Sequence, residues 1–196
     1  MPTRLAGAGA RVIGDDEGMP TYLAFLRAIN LGANRRFPKD DIRRAVESLG
    51  FTDVATHINT GNVRFTTSMR SRAKIEAALE QAFADDRGFE VPTIVFTTAE
   101  FAQIARDAEE LGAQHPDAER HYVYLMKAEP SAEARAEIEE RGGEAGEMVI
   151  RGRAAHAMLG PGYRAGQVDA LGAEKLLGVA TNRNATQIAA IAAKWT

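Results

Sequence analysis

Residues 25–42 read FLRAINLGANRRFPKDDI. The stretch begins as a strand and ends as a helix, and that order frames everything downstream. Upstream, TYLAFLRAI (21–29) is apolar and β-rich with Arg27 near its end, so it reads as a strand. Downstream, Pro38 suits a helix's first position, and Asp40 and Asp41 suit its first turn. Ile42, Ala45, Val46 and Leu49 recur at helical spacing, Gly50 stops the run, and Asp40 and Arg44 stand one turn apart as a favourable pair.

Working outward gives β-α-β-β-α-β. VATHI (54–58) and NVRFTT (62–67) are short strands about the turn NTGN (59–62). SRAKIEAALEQAFADDRG (71–88) is a helix by Ile75, Ala78, Leu79, Ala82 and Phe83, and EVPTIVFT (90–97) is a strand. This is the ferredoxin-like order. The second half repeats it in outline. A bridging helix runs from Ala99 to Leu111, HYVYLMK (121–127) is a strand, SAEARAEIEERG (131–142) a helix, and EMVIRG (147–152) with AAHAML (154–159) a pair of strands. After the glycine- and proline-rich GPGYRAG (160–166), helical signals recur at Ala170–Leu177 and Asn184–Trp195. The expected fold is therefore α/β (α+β): two tandem ferredoxin-like βαββαβ-type subdomains packed together, residues 20–97 and 98–196. The second is modified at its C-terminus, its final strand missing or altered. Residues 1–18 lack the apolar stretch of a signal peptide and are expected to form a flexible leader outside the fold.

Composition narrows the function. The 196-residue chain has no cysteine, which excludes disulfides, thiolate metal sites and cysteine nucleophiles and fits a reducing cytoplasm. No run approaches the roughly 20 apolar residues of a membrane span. The formal net charge of −3 is a poor basis for non-specific nucleic-acid binding. Charge is nevertheless segregated: Arg27, Arg35, Arg36, Lys39, Arg43 and Arg44 face only Asp40 and Asp41 between 27 and 44, while 100–119 is acidic.

Three loops carry polar groups in unusual density. In the first, Asn30, Gly32, Asn34, Arg35 and Arg36 connect a strand to a helix N-terminus, where backbone N–H groups and the dipole favour an anion. An arginine there can grip a carboxylate or phosphate bidentately. Turn chemistry alone also selects these residues. In the second, HINTGNVRF (57–65), Asn59 and Asn62 flank Thr60-Gly61; they can present amides to a cleft or simply form a hairpin with Gly61 at positive φ. In the third, ATNRNATQIAAIAAKW, Asn184 and Gln187 fit a capping-box variant. Capping does not explain Arg183, a cation beside a helix N-terminus. An anion between them, or extension into water, would make it tolerable.

Together these segments resemble the family known as domain of unknown function 1697, whose members open with an LLRGINVGG-N-R-P type motif, matched here by FLRAINLGANRRFP. They carry a QSGNVVF type hairpin, matched by NTGNVRF (59–65), and close with T-x-RN-x-T, matched by Thr181, Arg183, Asn184 and Thr186. The resemblance spans residues 20–196. It departs at Ala28 and Ala33, where the family has glycine, and at Ala185, where it has tryptophan. It implies an α/β fold of two similar subdomains and no established biochemical role. If the halves pack face to face, the three loops line one cleft. That makes Arg27, Asn30, Asn34, Arg35, Asn59, Asn62, Arg183 and Asn184 the candidate ligand-binding set for a small polar or anionic, phosphate- or carboxylate-bearing molecule.

Other chemistries fit less well. His57, His115, His121 and His156 share no metal-ligand spacing, no nucleophile elbow or dinucleotide fingerprint is present, and no cofactor or acid/base pair is indicated, so enzyme status stays open. The alternative is an RNA-binding module, since the ferredoxin-like sheet is also an RNA scaffold. It would need exposed stacking aromatics. The sequence offers Phe65 on the hairpin, with Tyr22 and Phe25 on opposite faces of the first strand.

Overall fold

In the computed structural model, which describes residues 18–30, 32, 35–163 and 171–196, β1 (Thr21–Leu26) separates two cores by strand alternation alone. Tyr22, Ala24 and Leu26 enter one apolar cluster, and Leu23 and Phe25 enter another. The leader, apart from Gly18, and Asn34 lie outside the described residues.

After β1 come α1 (Lys39–Glu47), β2 (Thr52–His57), β3 (Asn62–Thr66), α2 (Arg72–Arg87) and β4 (Thr93–Thr97). They form an antiparallel sheet of order β2-β3-β1-β4, with Phe25 opposite Asn62 and Ile94. Ile42, Ala45 and Val46 of α1 and Ile75, Leu79 and Phe83 of α2 cover the face that carries Tyr22, Val63 and Phe65. Local signals fix the helix ends: Ser71 caps α2 and Gly88, at φ 73°, ends it. Arg44 does not pair with Asp40. It turns to Asp41, which also holds Arg87 and so ties α1 to α2.

A second sheet repeats the pattern. α3 (Thr98–Gln114) leads into β5 (Arg120–Met126), α4 (Ala132–Glu139), β6 (Gly146–Arg151), β7 (Ala154–Leu159) and β8 (Ala180–Asn184), and α5 (Ala185–Trp195) ends the chain. The order β6-β7-β5-β8 is again antiparallel, so two tandem four-stranded sheets make an α+β fold. The final strand, expected to be missing or altered, is present as β8. What is altered is the segment before it: residues 171–177, read as helical, form turns. Ala173 and Leu177 share a helical spacing because the Ala173 carbonyl accepts from the N–H groups of Leu176 and Leu177 in a single turn, after which Gly178 adopts φ 66°.

The two sheets share a core. Leu23, Phe25, Ile94 and Phe96 from the first meet Val123, Leu125 and Ala154 from the second, together with Phe101, Ile104 and Ala108 of α3 and Ile188, Ile191 and Trp195 of α5. Among the described residues, no helix is long and apolar enough to cross a membrane.

Candidate functional site

The three motif loops meet at one end of this shared core, and the hairpin tip is their common target. His57 pairs with Asn62 across β2 and β3, leaving 58–61 as the loop. Gly61 takes φ 74°, and a Cβ there would stand 2.7 Å from Leu26 Cβ and 2.8 Å from Ile29 Cδ1. Only glycine lets the tip lie against β1 so closely.

The carbonyls around that tip are captured one after another. Asn62 Nδ2 donates to His57 O at 3.1 Å, Asn30 Nδ2 to Asn59 O at 2.7 Å, Arg183 Nη2 to Thr60 O at 2.7 Å, and Leu26 N to Gly61 O at 2.8 Å. A hairpin tip is ordinarily held by its own turn hydrogen bonds. Here Asn62 of the hairpin itself is joined by residues from two distant segments, 26–30 and β8. Ile58 sits at φ 49° with 45% of its surface exposed, a left-handed backbone that a β-branched residue rarely takes.

Asn30 also organises the first loop. Its Oδ1 accepts from Phe37 N at 2.9 Å and its own N–H donates to Arg35 O at 2.7 Å, closing the connection onto itself. Ala28, Asn30 and Gly32 take positive φ at 57°, 55° and 70°. Arg35 faces inward: Nε donates to Ala28 O and Nη2 to Glu90 O, both at 2.7 Å, while the guanidinium stacks on Phe89. Its work among the described residues is to hold the loop.

Arg183 lies on β8 and is 6% exposed. Nε donates to Asn62 Oδ1 at 2.8 Å, and Nη1 to Thr181 Oγ1 at 3.0 Å and Asn182 O at 2.6 Å, while the guanidinium lies over the Phe25 ring. All these acceptors are neutral. Burial, with no carboxylate partner among the described residues, pushes its pKa down to about 10. The side chain neither extends into water nor turns toward α5, whose N-terminus is capped by Asn184 Oδ1 accepting from Gln187 N at 2.7 Å. Asn62, fully buried, is Arg183's counterpart on the first sheet.

Arg27 is half-buried. It stands just past the end of β1, two residues after Phe25, and its Nη2 meets Glu174 Oε1 at 3.2 Å, both side chains partly open to solvent. The structure thus brings Asn30, Asn59, Asn62 and Arg183 into one bonded cluster, with Arg35 supporting it and Arg27 tied across to the second half. Asn184 stays at its helix cap, exposed.

Several contributors were not legible. Thr60 and Thr181, both within the motif loops, do join the cluster, but Glu174, which meets Arg27, was not readable because a lone carboxylate carries no spacing signal. A second buried arginine also escaped notice. Arg153 donates to Met126 O and Val95 O and stacks on Phe96, while Glu76 and Glu80 accept from Val95 N and Thr93 N. These side chains occupy the outer edge of β4, which would otherwise offer free strand groups. The arginine straight after the tight turn at Gly152, entering the buried and mostly apolar AAHAML, was the available cue.

The sheet reading for RNA meets an obstacle. Phe65 and Tyr22 lie within the first core and Phe25 within the shared one, so none is displayed for base stacking. Half of the basic segment is paired with carboxylates, with Arg43 on Glu47, Arg44 on Asp41 and Arg27 on Glu174. Among the described residues, no group of three or more His, Cys, Asp or Glu side chains is placed to share a metal ion.

Comparison with known proteins agrees with this architecture. No curated protein matches the chain. A conserved bacterial protein from Streptococcus pneumoniae has a solved structure that superposes with a TM-score of 0.69 at 22% identity, covering 90% of this chain and 98% of that one, which establishes the fold in common. The family model described as protein of unknown function, DUF1697, matches residues 19–156. The chain belongs to the DUF1697 family.

Proposed function

We propose that the junction of the three motif loops binds a small anionic or polar molecule, with Arg27 as the residue that grips it. The observation that carries this reading is Arg183: a buried guanidinium whose partners among the described residues are neutral acceptors brings positive charge to the junction. In a low-dielectric setting such a charge draws an anion to the nearest accessible point. Arg27, half-exposed just past the end of β1, is that point, and Glu174 is the carboxylate it holds meanwhile. A carboxylate- or phosphate-bearing ligand would take the place of Glu174. Asn59, exposed at the clamped tip, supplies an amide for a hydroxyl or base edge.

In this reading Asn30, Asn62, Arg183 and Arg35 are positioning residues that fix the tip, and Asn184 stays at its helix cap beside Arg183; Asn34 lies outside the described residues. The protein is a binder in a reducing cytoplasm; no acid/base pair for chemistry stands beside Arg27 among the described residues. The test is a thermal-shift screen against orthophosphate, citrate, a sugar phosphate, a nucleoside monophosphate and a short RNA, followed by calorimetry on the best ligand with Arg27→Gln. A ligand that binds only the folded state raises the melting temperature with concentration. An anion should stabilise the protein and Arg27→Gln should weaken its binding at least about tenfold, the scale of one charge-assisted contact. No response to any anion, or unchanged binding in the variant, would overturn the assignment.

A further inference from the structure

Away from the motif loops, the second sheet buries a pair of histidines beneath α3. His156 on β7 has no exposed surface, and its Nε2 is a buried polar atom without a hydrogen-bond partner. Its Nδ1 lies 3.2 Å from Nε2 of His121 on β5. One proton serves that contact: one imidazole donates and the other accepts. With both rings doubly protonated, N–H would face N–H. The contact therefore exists only while the pair is not fully charged.

Among the described residues, the carboxylates nearest the pair already serve other partners. From α3, Asp107 bears on His156, but its Oδ1 already accepts from Gln103 at 2.9 Å and from Arg151 of β6 at 3.0 Å. Arg151 also holds Glu110 of α3. His115, just past α3, places Nδ1 2.7 Å from Leu111 O and pairs through Nε2 with Glu147 of β6. Asp107 and Glu110 are held by Arg151 and Glu147 is bonded to His115, while Arg151 beside His156 and His115 beside His121 oppose added positive charge on the pair.

The location gives the pair leverage. A Cβ on Gly112 would lie 3.7 Å from His121 Nδ1, so His121 sits directly under the C-terminal part of α3. The same helix sends Phe101, Ile104 and Ala108 into the core shared by both sheets. We propose that the His121–His156 pair is an acid-sensitive latch: neutral, it seats α3 on the second sheet, and proton uptake unseats α3 and loosens the shared core.

Burial holds both rings below the ordinary histidine range, His156 at about 4. The sign follows: the unseated form takes protons first, so the seated form keeps its full advantage above about pH 6.5 and loses it progressively toward pH 4.

Three measurements on the full chain test the latch. In an imidazole NMR titration of the folded protein, His156 should stay neutral well below pH 6. In hydrogen exchange between pH 7 and 4.5, amides of α3 should lose protection before those of β3. His156→Leu and His121→Leu should each move the acid transition down by about half a pH unit or more, since each removes a proton-uptake site. Should a variant not fold, the titration and exchange of the unaltered protein still decide. His156 titrating near 6.5, protection of α3 and β3 falling together, or coincident acid transitions in a folded variant would each overturn the proposal.

Discussion

Arg183 Nε donates to Asn62 Oδ1 at 2.8 Å, joining two buried side chains 121 positions apart in sequence and on different sheets. The same guanidinium reaches Thr60 O, so one residue of β8 fixes the tip of the first half's hairpin. Lysine has one ammonium and cannot reproduce the fork. Arg183→Lys and Arg183→Ala should each cost about 3 kcal/mol, because Asn62 Oδ1 is left buried and unpaired and Thr60 O loses its partner at the partly buried tip. Urea denaturation measures this; a loss below about 1 kcal/mol in both variants would mean that water replaces the guanidinium at no cost.

Two left-handed positions separate strain from necessity. Ala28 holds φ 57°, a left-handed backbone that glycine adopts without penalty, so Ala28→Gly should stabilise the protein by about 0.5–1 kcal/mol. Gly61→Ala should do the reverse and cost about 2–3 kcal/mol, because the new methyl meets Leu26 and Ile29 as well as the φ penalty. Paired melting curves settle both signs. A destabilising Ala28→Gly would show that the first loop is not strained at that residue.

The fold was legible because its signals are local. Alternation in TYLAFLRAI assigned Tyr22 and Phe25 to opposite faces, and they do enter different cores. Asn184 and Gln187 announced their helix N-terminus. The misreading at 171–177 has the same origin, since Ala173 and Leu177 share a helical spacing across a single turn. The site was legible only as a set of motifs. That Asn62 and Arg183 would bond each other, and so act as a clamp, depends on the packing of two sheets, which no spacing along the chain encodes. Nor does any spacing separate Arg35, spent on the carbonyls of Ala28 and Glu90, from Arg27, which faces outward.

Glu174 competes with any anion for Arg27. Glu174→Gln keeps the shape and removes the charge, so the affinity of an anion that binds there should rise about fivefold, the equivalent of about 1 kcal/mol for a partly exposed ion pair. Added salt should narrow the difference between variant and parent. Calorimetry at two ionic strengths reads both effects. Equal affinities would place the ligand away from Glu174.

Glu76 offers a test in which charge and hydrogen bond separate. It is buried on α2, and its Oε1 accepts from Val95 N at 3.0 Å, closing part of the outer edge of β4. Desolvation, the largest influence, outweighs the bond to Val95 and the cations Lys127, Arg72 and Arg153, so its pKa is raised. The ionised carboxylate is therefore a burden at neutral pH, while its oxygen is needed. Glu76→Gln retains an acceptor and should leave stability at pH 7 unchanged or higher by up to about 1 kcal/mol. Glu76→Ala leaves Val95 N–H unpaired and should cost about 2 kcal/mol. The pH dependence has a definite sign. With its folded pKa above the unfolded one, Glu76 takes its proton first in the folded protein, so acidification relieves the burden. Relative to the parent, the glutamine variant should therefore lose ground as pH falls from 7 toward 4.5. Urea denaturation at pH 7 and pH 5 compares the three proteins, and a glutamine variant as unstable as the alanine one would show that the negative charge, not the oxygen, holds that edge.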